Sequence, residues 1–599
     1  MKKRILGILL CLVTALTLLP AMTHAENIAA ASAVQVHTGI LKITTYPSGA
    51  DVYIDGERYL PRTTPCAVAL PEGTHDVALV IPGYEECRET VEIRSEETAT
   101  LERKILPAIP AASDTRIITV TAEEDTEPDD SLTYESLTGL DCISLRQALT
   151  AAANDLSDRW YRIEFAEVVE HIELVNHILS YSRDNLIING DKNRDGTPDV
   201  TMTQTNWSLL FRPMKNLYLM GIRFADSCMV AIRPDDFATT DGYYENIYLL
   251  GCKFENAGLI PFCGACKVYA SGGKTNYTNV YCCGCDLGNA NLFLSYSGNC
   301  DNSVTDGVYY CANTLTEEGM LTVNCADCNT WYIYGGDTDE GNGGVVGQFE
   351  TSDHNIVRNI QVSGNTGGQF CCSVGVCGNS NNAVSDMVLR NNCFTNSIFL
   401  RPCQPIDEKN EGNRLSTSDN VLENVTLEYN VFDFRARDDA FIWVAVLAFD
   451  SCAAETQLIL HNNVIRNLQF RDNLYLGREN LTSGKIDAGI DYTLESGQIM
   501  CRAMLEAGDP GEAQTDYGNN RIEGIVFTGN RKVESYNPYD LWNADHPDAA
   551  DLTLLLRHVA GIEVITDSAM LERANVDGNG GVDAADVTAL AKIIKAQNP

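Results

Sequence analysis

Residues 246–254 read NIYLLGCKF, and variants of this nine-residue phrase return along much of the chain. The other copies are NLYLMGIRF (216–224), NVYCCGCDL (279–287), NIQVSGNTG (359–367), DMVLRNNCF (386–394), NVTLEYNVF (424–432), QLILHNNVI (457–465) and GIVFTGNRK (524–532). In chain order the eight copies begin 30, 33, 80, 27, 38, 33 and 67 residues apart, which indicates a step of about thirty residues with some copies unmarked. Units of this length that contain strands but no helical pattern predict a β-solenoid, in which each coil buries its apolar face against its neighbours.

The seventh position of the phrase alternates between two residue types. It is Cys252 or Cys285 in two early copies, and asparagine in the later copies Asn365, Asn392, Asn430, Asn463 and Asn530. Stacked coils place equivalent side chains about 4.8 Å apart. The alternation therefore predicts an internal ladder of like side chains.

The cysteines crowd between Cys228 and Cys403, in clusters such as CGAC (263–266), CCGC (282–285), CADC (325–328) and CCSVGVC (371–377). Of the 22 cysteines in the sequence, Cys11 lies in the N-terminal apolar run, and the other 21 are an odd number that cannot all pair with one another. Zinc ligation is one interpretation. Free thiols that pack as small apolar side chains are the alternative that the ladder favours.

The front of the repetitive region carries an amphipathic helix, Leu145–Ala153, within GLDCISLRQALTAAANDLSDRWYRIEF, followed by strands and an INGD segment. A helix at this place would cap the open end of a solenoid. In this segment the chain resembles secreted right-handed parallel β-helix proteins of the pectate-lyase-like superfamily. The resemblance implies a right-handed parallel β-helix over residues 137–535 and a mainly β protein.

Residues 38–107 form a separate unit of short alternating strands (Leu41–Thr45, Asp51–Ile54, His75–Ile81 and Thr90–Ile93) between Pro- and Gly-rich turns. This pattern predicts a small β-sandwich. The elements PSGA, VYIDG, TP, PEGTH and GY resemble those of the PEGA domain, which implies a spacer or binding module without catalysis. Within it, Cys66 and Cys87 are candidates for a disulfide bridge.

The N-terminus and the net charge together indicate export. Residues 1–25 combine a basic start, an apolar run and a small-residue ending, the pattern of a secretory signal peptide cut after Ala25. No second long apolar stretch follows, so we expect a secreted, extracellular protein without membrane insertion. The net charge of -39 excludes nucleic acid as a partner, and it disfavours a polyanionic substrate unless calcium screens the contact. An acidic, Pro-rich linker spans residues 108–136.

The C-terminal tail contains the segment NVDGNGGVDAAD (575–586). Oxygen atoms recur there at the spacing of a curled calcium loop, and the predicted Ca²⁺ ligands are Asn575, Asp577, Asn579, Gly581 (through its carbonyl), Asp583 and Asp586. The segment DAADVTALAKIIKA (583–596), which begins within this loop, repeats DAADLTLLLRHVAGI (548–562). Residues 538–599 thereby resemble a type I dockerin.

The dockerin resemblance implies a small α-helical, calcium-dependent tag that binds the cohesin domain of a scaffoldin, in a cell-surface cellulosome of an anaerobic bacterium. Arg557 and Lys592 occupy equivalent positions in the two halves and are the residues that would face the cohesin. In the first half, LWNADHP replaces the expected ligands, so calcium binding there stays open.

A second calcium phrase lies near the front of the repetitive region. Within residues 191–199, oxygen-bearing side chains alternate around Gly196, and the predicted ligands are Asp191, Asn193, Asp195, Thr197 and Asp199. A solvated Asp-rich turn is the alternative.

Two charged clusters are candidates for catalysis on a polysaccharide, because hydrolases use paired carboxylates and lyases combine carboxylate-held Ca²⁺ with a basic side chain. The first cluster is Arg437, Asp438 and Asp439, within FDFRARDDAFIW (432–443). The second is Arg233, Asp235 and Asp236, within IRPDDFATTDG (232–242). The sequence leaves two hypotheses open: a cellulosomal lyase or hydrolase acting on pectin or another plant-wall glycan, and a noncatalytic carbohydrate-binding or adhesion protein.

Overall fold

The computed structural model describes most of the chain between residues 38 and 533. The described ranges are 38–95, 97–175, 179–204, 209–212, 215–225, 230–232, 241–255, 259–263, 274–295, 301–326, 353–376, 379–404, 406–407, 414–437, 440, 442–448, 450–452, 457–477, 489–493, 499–507 and 514–533. The signal peptide (1–25) and the dockerin-like tail (538–599) lie outside them.

The N-terminal unit contains seven strands in two sheets, which confirms the predicted sandwich. The strands are β1 (Thr38–Tyr46), β2 (Asp51–Ile54), β3 (Glu57–Thr63), β4 (Cys66–Pro71), β5 (Gly73–Val80), β6 (Cys87–Ile93) and β7 (Thr98–Lys104). One sheet has the order β4-β1-β7 and the other β3-β2-β5-β6. Cys66 and Cys87 are both free thiols, so the proposed bridge between them is not formed.

The rest of the described chain is mainly β, with two short helices, α1 (Tyr134–Leu137) and α2 (Leu145–Ala153). The strands are β8 (Thr115–Val120), β9 (Trp160–Phe165), β10 (His171–Leu174), β11 (Leu179–Tyr181), β12 (Leu186–Asn189), β13 (Val200–Gln204), β14 (Leu209–Phe211), β15 (Lys215–Met220), β16 (Ile222–Ala225), β17 (Val230–Ile232), β18 (Gly242–Leu250), β19 (Lys253–Glu255), β20 (Leu259–Cys263), β21 (Thr275–Cys283), β22 (Asp286–Gly288), β23 (Asn291–Ser295), β24 (Val304–Cys311), β25 (Thr314–Leu315), β26 (Met320–Ala326), β27 (Ile356–Ser363), β28 (Gln369–Val376), β29 (Ala383–Arg390), β30 (Cys393–Phe394), β31 (Ile398–Gln404), β32 (Ile406–Asp407), β33 (Arg414–Ser416), β34 (Val421–Glu428), β35 (Val431–Asp433), β36 (Ile442–Ala448), β37 (Asp450–Cys452), β38 (Gln457–His461), β39 (Val464–Arg471), β40 (Leu474–Leu476), β41 (Gly489–Thr493), β42 (Ile499–Ala507), β43 (Gln514–Gly518), β44 (Arg521–Thr528) and β45 (Arg531–Lys532).

These strands form long parallel sheets through which the chain winds repeatedly. Sheet 1 has twelve strands in the order β44-β39-β34-β29-β27-β24-β21-β18-β15-β12-β9-β8. Sheet 2 consists of two rows of short strands, β10-β13-β16-β19-β22-β25 and β30-β35-β40-β45. Sheet 3 has eleven strands, β11-β14-β17-β20-β23-β26-β28-β31-β36-β42-β41, of which β41 is antiparallel to β42. A typical coil gives one strand to each sheet in turn, which confirms long stacked parallel sheets.

The repeated phrase is a sheet 1 strand bounded by two residues with positive φ. In the copy at 246–254, Asn246 has φ 57° and Gly251 has φ 59°, and the residues between them include the buried Ile247 and Leu249. Gly and Asn tolerate this left-handed conformation best, which explains why they recur at the first and sixth positions. The Asn246 Nδ2 donates to Asn216 Oδ1 (2.9 Å) in the preceding coil, which adds a surface ladder.

The internal ladder at the seventh position is confirmed for most of its predicted members. Asn365 Nδ2 donates to Asn392 Oδ1 (2.8 Å), and Asn392 Nδ2 donates to Asn430 Oδ1 (2.9 Å). The ladder continues through Asn473 to the predicted Asn530. Cys252 and Cys285 are both almost fully buried.

The assignment of Asn463 to this ladder is wrong. The phrase at 457–465 falls on β38 and the turn after it, and Asn463 belongs to a second ladder with Asn420 and Asn520. The true copy lies at 467–475, which places Asn473 at the seventh position. The sequence His461-Asn462-Asn463 resembles the end of a true copy, because the turn after β38 and the turn after a sheet 1 strand both contain asparagine.

Helix α2 has the predicted bounds and covers the core at the first coils. Its N-cap Ser144 accepts a hydrogen bond from Gln147 N, and the Gln147 side chain accepts one from Ser144 N, which forms a capping box. Leu145 and Leu149 are buried in the core that runs through all the coils. Arg146 also binds Asp125 in a buried ion pair (2.7 Å). The described residues contain no helix long and apolar enough to cross a membrane.

Candidate functional site

The N-terminal unit packs directly on the outer face of sheet 1. Its core is continuous with Met220, Leu250 and Cys283, which point outward from the coils and are nevertheless buried. Tyr84 donates its hydroxyl hydrogen to the Cys283 carbonyl oxygen (3.1 Å). A row of stacked tyrosines runs beside this contact, with ring centroids 4.3–4.4 Å apart in Tyr218, Tyr248, Tyr281 and Tyr309. The sandwich and the first coils therefore share one apolar interface.

The predicted calcium loop at residues 191–199 lies at the edge of this interface. Asp191 is buried, and its two carboxylate oxygens accept hydrogen bonds from Asp195 N (2.9 Å) and Gly196 N (2.7 Å). Asp199 Oδ2 accepts from Lys192 N (2.8 Å), and Asn193 Oδ1 accepts from Asp195 N (2.8 Å). The loop is thus curled tightly by its own side chains.

Burial raises the pKa of Asp191, and the neighbouring charges of Asp195 and Asp199 raise it further. Such a donor set is the type that Ca²⁺ prefers. However, no three acidic, histidine or cysteine side chains come together as a metal-binding group within the described residues. Thr197 contributes its backbone N–H to Asp195 Oδ1 (2.8 Å). Calcium binding by this loop stays a prediction.

The loop also contacts the N-terminal unit through two ion pairs. Arg194 binds Glu85 (2.7 Å), and Asp195 lies 3.8 Å from Lys104. All four side chains are partly exposed, so each pair contributes at most about 1 kcal/mol. Their effect is to orient the loop against the sandwich.

Of the predicted catalytic residues, the structure describes Arg437 alone. Arg437 lies between β35 and β36, and its Nη1 donates to Glu318 Oε1 (3.2 Å), at the turn before β26. Asp438 and Asp439 lie outside the described residues, as do Arg233, Asp235 and Asp236. The dockerin ligands Asn575, Asp577, Asn579, Gly581, Asp583 and Asp586, and the cohesin-facing Arg557 and Lys592, also lie outside them.

A cluster that the sequence did not reveal lies on the outer face of sheet 3. The register places Ser373 beside Arg401, and Cys371 beside Phe399 and Trp443 in turn, so that these side chains share one face. Arg401 Nε donates to Ser373 Oγ (2.8 Å), and its Nη2 donates to Cys371 Sγ (3.2 Å). These five residues are called the Arg401 cluster below.

The Arg401 guanidinium is held by neutral groups. Its central carbon lies 5.1 Å from the Phe399 ring centroid, and the Phe399 ring stacks on Trp443 with centroids 6.4 Å apart. No carboxylate of the described chain forms an ion pair with Arg401, although acidic residues outnumber basic ones 82 to 43. The guanidinium keeps N–H donors that Ser373 and Cys371 do not use. The cluster can therefore bind an anionic group next to an apolar, aromatic surface.

The Arg401 cluster could not be predicted from the repeated phrase, because that phrase identifies the strands of sheet 1 and not those of sheet 3. The signal was the alternation in CCSV (371–374) and IFLR (398–401), where every second residue faces the core. Trp443 did fall within the predicted segment 432–443. It lies on β36, directly after the catalytic candidates.

Cys252, Cys285 and Cys372 are free thiols, and ten of the thirteen cysteines whose side chains the structure describes are buried. Burial raises the pKa of Cys66 and that of Cys393 to about 12. Desolvation likewise raises the pKa of Cys252, Cys285 and Cys372 well above the ordinary range of a thiol. These thiols are protonated at neutral pH and pack as apolar side chains, which fits the alternative to zinc.

Comparison with known families identifies the N-terminal unit. Residues 38–108 match the family model of the PEGA domain. No curated protein matches the chain, and no solved structure does. This match confirms the predicted PEGA domain. The N-terminal unit is a PEGA domain that packs on the long parallel β-sheets.

Proposed function

We propose that the protein is exported, docks to a cohesin through its tail and binds an acidic plant cell-wall polysaccharide, such as pectin, along the outer face of sheet 3, with Ca²⁺ screening the net charge of -39. The single observation that carries the glycan assignment is the Arg401 cluster, an arginine without an acidic partner among the described residues, beside two stacked aromatic rings. A guanidinium binds a uronate carboxylate well, and aromatic side chains pack against the apolar face of a sugar. The coils correspond, in this proposal, to a right-handed parallel β-helix of the pectate-lyase-like type.

The test of glycan binding is a titration of the full-length protein with polygalacturonate, compared with neutral xylan. Replacing Arg401 by Gln removes the charge and keeps a similar length, so we expect at least about tenfold weaker binding of polygalacturonate. Arg358→Gln is the matched control, because Arg358 is exposed on sheet 1 and pairs with Asp306. Equal binding by the Arg401→Gln variant, or no binding by the wild-type protein, would refute the assignment.

Cleavage of the glycan is a second candidate function. It is favoured by the position of Arg437, which precedes the strand that carries Trp443, with Asp438 and Asp439 next in sequence. Loss of a general acid or base lowers a rate by about a hundredfold or more. We therefore expect Asp438→Asn and Asp439→Asn to lower the release of reducing ends or unsaturated uronate from pectin or xylan, and Asp235→Asn to leave it unchanged. If Asp235→Asn lowers the rate and the other two variants do not, the catalytic residues lie in the segment 233–236. If the wild-type protein cleaves no glycan, glycan binding is the function that stays proposed.

Docking through the tail predicts a strict dependence on calcium. Ion binding supplies the folding free energy that so small a helical unit lacks. We expect chelation, or Asp577→Ala combined with Asp586→Ala, to abolish binding to a type I cohesin in a pull-down assay. Cohesin binding that persists in excess chelator would contradict the dockerin assignment.

A further inference from the structure

A cleft of about 170 Å³ lies where the PEGA domain meets the first coils. The PEGA domain lines it with Tyr46 and Pro47, and the loop at 191–199 contributes Thr197. Sheet 2 lines the opposite side with Arg223, Lys253 and Asp286. The cleft is distinct from the Arg401 cluster, which lies on sheet 3.

The sheet 2 wall holds donors and an acceptor in a fixed row. Arg223 pairs in register with Lys253, and Lys253 pairs with Asp286, so the three side chains leave adjacent strands about 4.8 Å apart. Lys253 Nζ lies 3.8 Å from Asp286 Oδ2. The parallel ladder thus keeps two cations and a carboxylate beside the cleft.

Arg223 is incompletely paired. Its Nε is buried and has no hydrogen-bond partner within the described part of the chain, and Glu255 Oε1 is 4.0 Å away from it. Glu255 instead lies close to Lys253 Nζ (2.7 Å). A buried N–H without an acceptor is costly, so a ligand oxygen placed beside Arg223 would be stabilised.

The opposite wall is aromatic and its surroundings are balanced in charge. Tyr46 is 56% exposed, so its side chain is accessible to a ligand in the cleft. Arg223 and Lys253 are matched by Glu255 and Asp286, which disfavours a strongly anionic or cationic ligand. The volume is large enough to hold several water molecules.

A neutral sugar ring meets all of these conditions. Its C–H face can pack on Tyr46, and each hydroxyl both donates and accepts, which suits a wall that offers the acceptor Asp286 and the donors Arg223 and Lys253. We propose that the cleft between the PEGA domain and the coils binds one neutral sugar residue, such as a side chain or an end of a wall polysaccharide. This site would make the PEGA domain part of a binding surface instead of a spacer.

The test uses saturation-transfer NMR on the full-length protein with methyl glycosides of xylose, glucose and galactose as probes, and with galacturonate as the anionic comparison. We expect saturation of at least one neutral glycoside. Asp286→Asn and Tyr46→Ala should each weaken that binding at least tenfold. Tyr243→Ala is the matched control, because Tyr243 is 55% exposed on sheet 1 and does not line the cleft.

The failure of this proposal can be told apart from failure of polygalacturonate binding. Arg401→Gln should leave the neutral glycoside signal unchanged, because Arg401 lies outside the cleft. Thermal unfolding of each variant shows whether it has folded. Because Tyr46 is exposed, we expect Tyr46→Ala to lower the free energy of unfolding only slightly. No saturation of any neutral glycoside, or equal saturation in the Asp286→Asn and Tyr46→Ala variants, would overturn the proposal.

Discussion

Asparagine has two separate roles in the coils, and the difference is set by burial. At the surface ladder, Asn467 has φ 54° and donates to Asn424 Oδ1 (2.7 Å) from an exposed position. In the interior, the Asn430 backbone N–H and Nδ2 both donate to Asn473 Oδ1 (2.9 and 3.0 Å). The interior asparagines satisfy backbone groups that each corner turns away from the sheets, and such groups are costly when left unpaired.

Replacement of one interior asparagine should therefore destabilise the protein strongly. Asn430→Ala would leave the Leu389 carbonyl oxygen and the Asn392 backbone N–H without their present partners. We expect a loss of at least about 2 kcal/mol in the free energy of unfolding, measured by urea denaturation.

Asn467→Gly is the control for this change, because glycine keeps the positive φ of an exposed ladder residue. It should change the free energy of unfolding by less than about 1 kcal/mol. Equal losses in the Asn430 and Asn467 variants would show that burial of the ladder does not determine its contribution.

At the scale of elements, the sequence predicts sheet 1 well because its strands carry a local signal. Left-handed residues at the first and sixth positions, such as Asn246 and Gly251, mark the two ends of each strand. The alternation of apolar and other residues between them shows which side chains face the core. Helix α2 was equally predictable, because Ser144 and Gln147 form a capping box before an apolar run.

Sheets 2 and 3 were not predictable in the same detail. The strands of sheet 2 are often only two or three residues long, as in β30 (Cys393–Phe394), which is too short for a recognisable alternation. The Arg401 cluster depends on register between strands that are far apart in sequence, such as Ser373 and Arg401. Only the stacking of coils brings these side chains onto one face.

For the whole molecule, the polarity of the residue at the fifth position of the phrase indicates which coils the PEGA domain covers. It is Met220, Leu250, Cys283 and Cys311 in four successive coils, and all four side chains point outward yet are buried under the PEGA domain. From the next coils onward the same position is Ser363, Arg390, Glu428, Arg471 and Thr528. The change from apolar to polar residues shows that the docked arrangement is encoded in the coils as well as in the PEGA domain.

Docking can be tested with a pair of glycines that differ in surroundings. Gly284 and Gly524 both have positive φ, 64° and 70°, so a side chain strains the backbone similarly at either place. A Cβ atom on Gly284 would lie 2.0 Å from the Tyr84 hydroxyl oxygen and 2.7 Å from Pro47 Cγ, whereas at Gly524 the nearest atom would be 3.8 Å away.

We therefore expect Gly284→Ala to push the PEGA domain off sheet 1, while Gly524→Ala leaves it docked. The overpacked variant should lose about 1–3 kcal/mol more stability than the control in thermal unfolding. It should also become cleavable by protease between the PEGA domain and β8, because the apolar interface around Leu250 would open. If the two variants unfold at the same temperature and resist protease equally, the contact between Tyr84 and the Gly284 turn does not hold the PEGA domain in place.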